Sequence, residues 1–193
     1  MPISLPRSFY ERPVLEVAAD LLDARISHGG VTVRLTEVEA YAGLGDPGSH
    51  AFRGQTPRTA TLFGPPGGLY VYFTYGMHWC ANLVCGPPRQ GAAVLLRAGE
   101  VIAGEERARE RRGGVPARDL ARGPARLTVT LGLGRDHDGL LTTAPDCPVV
   151  VLAADGPPKV GRAGPPAAGT VRTVRSGPRV GVSGPGGDGA AYP

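Results

Sequence analysis

The pattern of residues 31–41, VTVRLTEVEAY, predicts a β-strand that begins apolar and ends with polar side chains. Alternate residues of a strand share one face. If no bulge intervenes, that face carries Val31, Val33, Leu35, Glu37, Glu39 and Tyr41. Glu37 and Glu39 would then lie roughly 7 Å apart. A carboxylate that loses water on a core-facing side becomes a better base near neutral pH. The alternative is a bulge that turns both carboxylates to solvent.

Residues 68–85 concentrate aromatic side chains and predict a β-hairpin. Tyr70, Tyr72 and Thr74 alternate with the residues between them, and a second strand-like run begins at His78. We expect the turn near Tyr75 and Gly76, which would push a large aromatic side chain into solvent. The base steps of a duplex are one surface that could cover it. The alternative is that these aromatic residues form the core of a sheet.

The remaining pattern predicts an α+β fold. Val14, Val17, Ala18, Leu21 and Leu22 share one face of a helix that begins near Pro13. Further helices are expected in the charged segment 100–112 and after Pro124, and strands at 148–153 and twice within 171–183. We predict a single domain, with a curved, mainly antiparallel β-sheet surrounded by α-helices. Residues 1–8 would be a loose leader, 9–183 the domain, and 184–193 a flexible Gly/Pro-rich tail.

The amino-acid composition restricts the classes of molecule that the chain could bind. The chain has 193 residues, a net charge of +4, and one lysine, Lys159, so arginine supplies nearly all of the positive charge. Arginine makes planar, forked contacts to phosphate, which indicates a polyanionic partner. The three cysteines form no CxxC pair, which argues against a disulfide framework and a structural zinc site. With no signal sequence and no apolar run near ~20 residues, we expect a cytoplasmic protein without metal or cofactor.

Several motifs occur in an order that resembles a known family. They are TEVEAY (36–41), a long loop with His50 followed by RGQTPR (53–58), LYVYFTYGMHWCANLV (69–84) and GAAVLLRA (91–98). Together they are similar to the alkyladenine, or 3-methyladenine, DNA glycosylase family. The resemblance implies base-excision repair: base flipping, hydrolysis of the N-glycosidic bond of alkylated or deaminated purines in double-stranded DNA, and an abasic product. It also implies a monomer.

The resemblance implies a role for each matched residue. Glu39 corresponds to the general base that activates water, and Arg97 to the arginine that helps to hold this water and a nearby phosphate. The aromatic walls around the flipped base correspond to Tyr41, His50 and Tyr72. Tyr75 corresponds to the side chain that intercalates into the duplex, and Asn82 to the amide that rejects the exocyclic amine of guanine.

We also expect DNA contacts from Arg53, Arg58 and Arg179, the last in RVGV (179–182), which looks like the family's segment near the catalytic water. Lys159 lies outside every matched motif, so a Schiff-base lyase step is not expected and the enzyme would be monofunctional. Members of the family normally continue with another strand, so the chain would be truncated or lack that edge.

Two rival functions remain open from the residues alone. The first is a non-catalytic nucleic-acid-binding module that uses the same aromatic side chains for stacking. The second is a hydrolase that acts on free nucleosides or glycosides through Glu37 and Glu39. The first would bind a lesion without releasing the base, and the second would not require a duplex.

Overall fold

Six antiparallel strands form one curved sheet in the computed structural model, which describes residues 4–154 and 174–188. The order across the sheet is β3-β4-β5-β2-β1-β6. The strands are β1 (Arg25–His28), β2 (Val31–Tyr41), β3 (Leu69–Thr74), β4 (His78–Val84), β5 (Ala93–Ala103) and β6 (Val150–Leu152). The predicted α+β class and curved antiparallel sheet are confirmed.

The main hydrophobic core lies between one face of this sheet and four α-helices. The α-helices are α1 (Arg7–Tyr10), α2 (Val14–Leu21), α3 (Glu105–Arg112) and α4 (Pro124–Leu131). Helix α2 buries Val17, Ala18 and Leu21, as the spacing of its apolar residues predicts, although Pro13 precedes the helix as its N-cap. Leu127 and Leu131 of α4 join the same core. No helix of residues 4–154 and 174–188 is long and apolar enough to cross a membrane.

The opposite face of the sheet carries a second, smaller cluster and is left partly open. The buried members of this cluster are Ala51, Leu62, Tyr70, Val84 and Ala93. Ala51 and Leu62 come from the long segment between β2 and β3, which contains one short 3₁₀ turn, Ala60–Phe63. This face therefore has a less complete cover than the core face, and it can expose polar side chains to a ligand.

A bulge in β2 corrects the predicted strand face. Leu35 pairs with Gly99 and Glu37 with Ala98, so Thr36 is an extra residue on β2, while Arg97 is an extra residue on β5. Leu35 packs in the main core before the bulge, and Val38 and Ala40 pack against it afterwards. The prediction that Val31, Val33, Leu35, Glu37, Glu39 and Tyr41 share one face was therefore wrong. Glu39 is nevertheless buried, at 7% exposure, on the partly open face.

The predicted hairpin is present between β3 and β4. Thr74 pairs with His78, and the amide of Met77 donates to the Thr74 carbonyl at 3.1 Å. Tyr75 and Gly76 both have positive φ, 50° and 64°, as the central residues of a tight hairpin turn often do. Because a turn of this kind directs its side chains outward, Tyr75 is 84% exposed.

Several boundaries differ from those predicted. Of the expected leader, Leu5 is buried and its amide donates to the Val151 carbonyl at 2.7 Å. Strand β5 extends to Ala103, so only the second half of the segment 100–112 is helical. Residues 174–183 form no strand, and Gly184–Gly187 of the expected tail form a 3₁₀ turn. The Gly- and Pro-rich composition of residues 155–170 predicts a linker or flexible loop, and this segment lies outside the described residues.

Two histidines join β1 to the segment after α4. The Nδ1 of His28 lies 2.8 Å from the Leu131 carbonyl, so it carries the proton and donates. The Nδ1 of His137 accepts from the Gly134 amide at 3.1 Å, and its Nε2 lies 3.2 Å from the Nε2 of His28. This chain of hydrogen bonds is complete only when both rings are neutral.

Candidate active site

The site is assembled by strand register across the partly open face. Tyr70 pairs with Asn82, Asn82 with Leu95, and Leu95 with Glu39, so these four residues form one row over β3, β4, β5 and β2. Three strand spacings of about 4.8 Å place the ends of this row roughly 14 Å apart. An aromatic side chain therefore lies at one end of the row and a carboxylate at the other.

The carboxylate of Glu39 is held at both oxygens. Its Oε2 accepts a 2.9 Å hydrogen bond from the Tyr41 hydroxyl, and its Oε1 accepts a 2.7 Å hydrogen bond from the Val180 amide. Burial, and next the charge of Glu39, raise the pKa of Tyr41, which keeps that hydroxyl protonated as a donor. The Glu39 carboxylate is thus fixed in orientation while it still lines the cleft.

Arg97 stands between two carboxylates. Its Nε donates to Glu37 Oε1 at 2.7 Å and lies 3.5 Å from Glu39 Oε1. The Glu37 side chain is half exposed, whereas that of Glu39 is buried. The two glutamates that looked equivalent in the sequence therefore differ: Glu39 faces the cleft and Glu37 holds Arg97 from the solvent side.

A buried ion pair fixes the loop after β2 to the C-terminal segment 174–188. Arg179 donates to both oxygens of Asp46, at 2.6 and 2.8 Å, and the two side chains are 3% and 1% exposed. The Arg179 guanidinium also donates to the carbonyls of Ala40 and Gly186 and lies 4.6 Å from the centre of the Tyr41 ring. The sequence predicts that Arg179 contacts DNA, whereas in the structure its side chain is buried in this ion pair.

Hydrogen bonds from backbone amides complete the environment of Asp46. The amides of Ala42 and Gly48 each donate to its carboxylate at 2.9 Å. Burial alone would raise the pKa of Asp46, but the hydrogen bonds from Arg179 and these amides together lower it. Val180 follows Arg179 in the sequence, and its amide donates to Glu39. The ion pair of Asp46 and Arg179 therefore positions one hydrogen-bond donor of the Glu39 carboxylate.

Three aromatic rings form a wall on the β3 side of the cleft. The ring centres of His50 and Tyr72 are 4.5 Å apart, and Tyr70 and Tyr72 are stacked at 5.3 Å. His50 Nδ1 lies 3.2 Å from the Tyr70 hydroxyl. Burial, and next the charge of Arg58, lower the pKa of His50, and burial raises the pKa of Tyr70 to about 12. At neutral pH the wall is therefore uncharged.

Between this wall and Glu39 lies a floor that includes Asn82. The Asn82 side chain is buried and its Nδ2 donates to the Tyr70 carbonyl at 3.3 Å, which sets the direction of the amide. Leu95 and Cys80 lie beside it in the lining of the cleft. The cleft has a volume of about 550 Å³ and is also lined by Pro124, Ala125 and Val180. This space is sufficient for a purine ring, and it opens to solvent.

The exposed hairpin tip lies at the mouth of the cleft, and Arg58 contacts this hairpin. Tyr75 lines the cleft and projects into solvent. Arg58 is exposed and donates to the Phe73 carbonyl at 3.2 Å, which attaches it to the hairpin. Arg53 is exposed in the loop and does not line the cleft. The structure thus brings together Glu39, Tyr41, His50, Tyr72, Tyr75, Asn82 and Arg97 in one cleft.

Sequence reasoning missed Tyr70, Asp46 and the Val180 amide. The alternation that identifies Tyr72 also includes Tyr70, so that signal could have found it. Asp46 precedes Pro47-Gly48 and looks like an ordinary turn residue, and nothing local indicates an ion pair with Arg179. Among the residues that the structure describes, no group of three or more His, Cys, Asp or Glu side chains could hold a metal ion.

A fixed carboxylate opposite an uncharged aromatic wall is an arrangement suited to chemistry on a flat heterocyclic group. Comparison with known proteins identifies the class more closely. The sequence profile described as Methylpurine-DNA glycosylase (MPG) matches residues 8–190. The chain belongs to the methylpurine-DNA glycosylase family. The family and enzyme class expected from the sequence, a DNA N-glycosylase of base-excision repair, are confirmed.

Individual relatives agree with this assignment. A protein of Frankia casuarinae named "Putative 3-methyladenine DNA glycosylase" is 52% identical over 178 residues, which cover 90% of this chain and 81% of the relative. Proteins of the same name from Streptomyces avermitilis and Leifsonia xyli are each 50% identical. Those two matches cover 95% and 93% of this chain, and 83% and 81% of the relatives.

Proposed function

We propose that this chain removes alkylated or deaminated purines, of the 3-methyladenine and hypoxanthine class, from double-stranded DNA. The observation that carries the proposal is the Glu39 carboxylate, which is buried, held by Tyr41 and the Val180 amide, and open to an aromatic cleft. The chain would act as a monomer on chromosomal DNA in the cytoplasm, in association with the nucleoid.

In the proposed reaction Glu39 accepts a proton from the water that attacks the sugar C1′. The new C1′–O bond forms as the C1′–N bond breaks, and the electron pair of that bond leaves with the purine. An alkylated purine already carries positive charge, so it leaves without needing a general acid. The guanidinium of Arg97, 3.5 Å from Glu39, would help to hold the water and a nearby phosphate.

The reaction requires that the base leave the helix and enter the cleft. His50 and Tyr72 contact each other and would form one wall together, with Tyr41 on the side of Glu39. Because the pKa of His50 is lowered, this wall carries no positive charge that would repel a cationic purine. Aromatic faces attract such a cation. The Asn82 amide on the floor would reject guanine by contact with its exocyclic amine.

At the mouth, Tyr75 would enter the duplex in place of the extruded nucleotide. Its exposed ring supports this role, because unstacking a base step costs a few kcal/mol and an inserted aromatic side chain offsets part of that cost. Arg53 and Arg58 would contact the DNA backbone nearby. Since Lys159 is the only lysine, we propose a monofunctional enzyme that leaves an intact abasic site.

The decisive experiment measures base release from a duplex with one 3-methyladenine or one hypoxanthine, under single-turnover conditions. Glu39→Gln should reduce the rate by roughly 10²–10⁴-fold, the usual contribution of a general base, while binding of the lesion duplex is kept. Glu110→Gln is the matched control, because Glu110 is an exposed glutamate that pairs with Arg107 on α3. Equal release by wild type and Glu39→Gln would remove Glu39 from this role.

Two additional measurements separate the rival functions. A non-catalytic binding module would retain lesion binding in wild type without any base release. A nucleoside hydrolase would turn over free inosine as well as the duplex substrate. Release only from the duplex, and only with Glu39 present, supports the glycosylase.

A further inference from the structure

Three exposed arginines surround a single carboxylate beside the cleft. Arg118, Arg122 and Arg126 have side chains that are 81%, 73% and 49% exposed, and all three approach Asp119. Their nearest nitrogens lie 3.7, 3.7 and 3.9 Å from its oxygens, longer than a good hydrogen bond. Three cations share one anion, so this surface, which we call the Asp119 arginine cluster, has a local excess of positive charge.

Three exposed arginines on α1 and α3 are neutralised more fully. Arg7 donates to Glu11 at 2.9 Å, Arg107 to Glu110 at 3.2 Å, and Arg109 to Glu105 at 2.6 and 2.8 Å. Each of these pairs is a direct hydrogen bond along one helix. By contrast, the cluster keeps its guanidinium groups directed to solvent at distances that leave their donors free for a further anion.

The backbone that carries the cluster is anchored to β5, the strand that carries Arg97. Ala98 pairs with Arg122 in an isolated bridge, and the Gly99 amide donates to the Ala121 carbonyl at 3.1 Å. Ala98 follows Arg97, which lines the cleft. Leu120 and Ala121, just before Arg122, are buried in the main core. The exposed guanidinium groups therefore project from an anchored backbone.

The cluster also adjoins the wall of the cleft. Pro124 and Ala125, at the start of α4, line the cleft, and Arg122 and Arg126 flank them in the sequence. With consecutive Cα atoms 3.8 Å apart, Arg122 lies within about 8 Å of Pro124 along the chain. A nucleotide in the cleft would thus bring its neighbouring phosphates close to these side chains.

We propose that the Asp119 arginine cluster binds the sugar-phosphate backbone of the DNA strand beside the extruded nucleotide. This inference rests on the proposed function, since it needs a duplex at the cleft. The planar, forked donors of arginine suit phosphate oxygens. The contact would carry no sequence information, and it would hold undamaged and damaged DNA alike.

The test compares the double variant Arg122→Gln/Arg126→Gln with the control double variant Arg7→Gln/Arg107→Gln, which removes the same charge from paired, exposed positions. Fluorescence anisotropy gives the dissociation constant for a lesion duplex and an undamaged duplex between 50 and 300 mM salt. Each lost phosphate contact should reduce the slope of log K against log[salt] by about 0.9, and hence the double variant by roughly 1.8. If the double variant and wild type bind equally at 1 M salt, this slope difference corresponds to about 60-fold weaker binding by the double variant at 0.1 M salt.

Base release at saturating enzyme should stay within about twofold of wild type, because the cluster does not touch the reacting atoms. Adding Arg118→Gln should lower the salt slope by about one further unit. A slope equal to that of the control double variant would overturn the inference and would point to another partner, such as an acidic polypeptide. A lower rate at saturation with an unchanged slope would overturn it as well.

The two proposals can fail separately. If wild type releases no base but the slope falls in the double variant, the DNA surface stands and the proposed reaction fails. If wild type releases the base and the slope matches the control, the reaction stands and the cluster has no role in DNA binding.

Discussion

The buried pair of Asp46 and Arg179 offers the most quantitative prediction. Arg179→Met removes the guanidinium and leaves the Asp46 carboxylate buried, where it still accepts from the amides of Ala42 and Gly48. Breaking a buried ion pair at one partner costs about 3–5 kcal/mol. For a chain of 150–250 residues each kcal/mol corresponds to about 2–4 °C in Tm, so we expect Tm to fall by about 6–20 °C.

The same change should also slow catalysis. Arg179 precedes Val180, whose amide holds Glu39 Oε1, and it contacts the Tyr41 ring. Without the guanidinium, the Tyr41 hydroxyl and the Val180 amide, which donate to the Glu39 carboxylate, would be held less firmly in place. At a temperature where the variant is still folded, we expect base release at saturating enzyme to fall more than the affinity for the lesion duplex. Arg179→Lys, which keeps the charge, should recover part of both losses.

The assay is thermal unfolding measured by calorimetry. It compares wild type, the two single variants at Asp46 and Arg179, and the combined variant in a double-mutant cycle. Asp46→Asn and Arg179→Met should each be strongly destabilising, and the combined variant should lose less than the sum of the two, because neither then leaves a buried charge. The exposed pair Arg7 and Glu11 is the control, whose loss should cost about 0–1 kcal/mol. A Tm change below about 2 °C for Arg179→Met, or strict additivity, would refute the reasoning.

The pair also predicts the pH dependence of stability. The ordinary pKa of Asp is about 3.9, and that of Asp46 is lowered in the folded protein. The stabilisation is therefore fully present above the unfolded pKa and is lost as pH falls through the folded pKa. The loss of unfolding free energy between pH 5 and pH 2 should be smaller in Asp46→Asn than in wild type.

Two further predictions concern the histidine pair and the hairpin tip. Burial, and next the charge of His28, lower the pKa of His137, so its stabilisation is present above about pH 6.5 and is lost as pH falls. His137→Gln should therefore show a smaller decrease in the urea midpoint between pH 7.5 and pH 5 than wild type; an equal decrease would contradict this. Tyr75→Asn should leave the free energy of unfolding within about 0.5 kcal/mol, because the side chain is exposed and Asn tolerates positive φ. It should still lower base release from duplex DNA, and unchanged release would exclude intercalation by Tyr75.

The sequence predicted individual strands and helices better than it predicted the arrangement of the site. Alternation found the hairpin, and the spacing of apolar residues found α2, because these signals lie within one segment. The row that joins Tyr70, Asn82, Leu95 and Glu39 depends on the register of four strands, which no local pattern encodes. Likewise, Asp46 and Arg179 are 133 residues apart in the chain. The matched motifs named Glu39, but only the bulge explains why it faces the cleft.

That bulge reconciles an odd sequence separation between Leu35 and Val38 with a shared core face. The strand consists of two regular pieces joined out of phase, with Leu35 and Val38 on the core face on either side of the extra residue. Deleting Thr36 would place Leu35 and Val38 two positions apart in a regular strand, so Val38 would still face the main core and Glu39 the cleft. We therefore expect a relative with one residue fewer between Leu35 and Val38 to keep the orientation of the Glu39 carboxylate without a bulge.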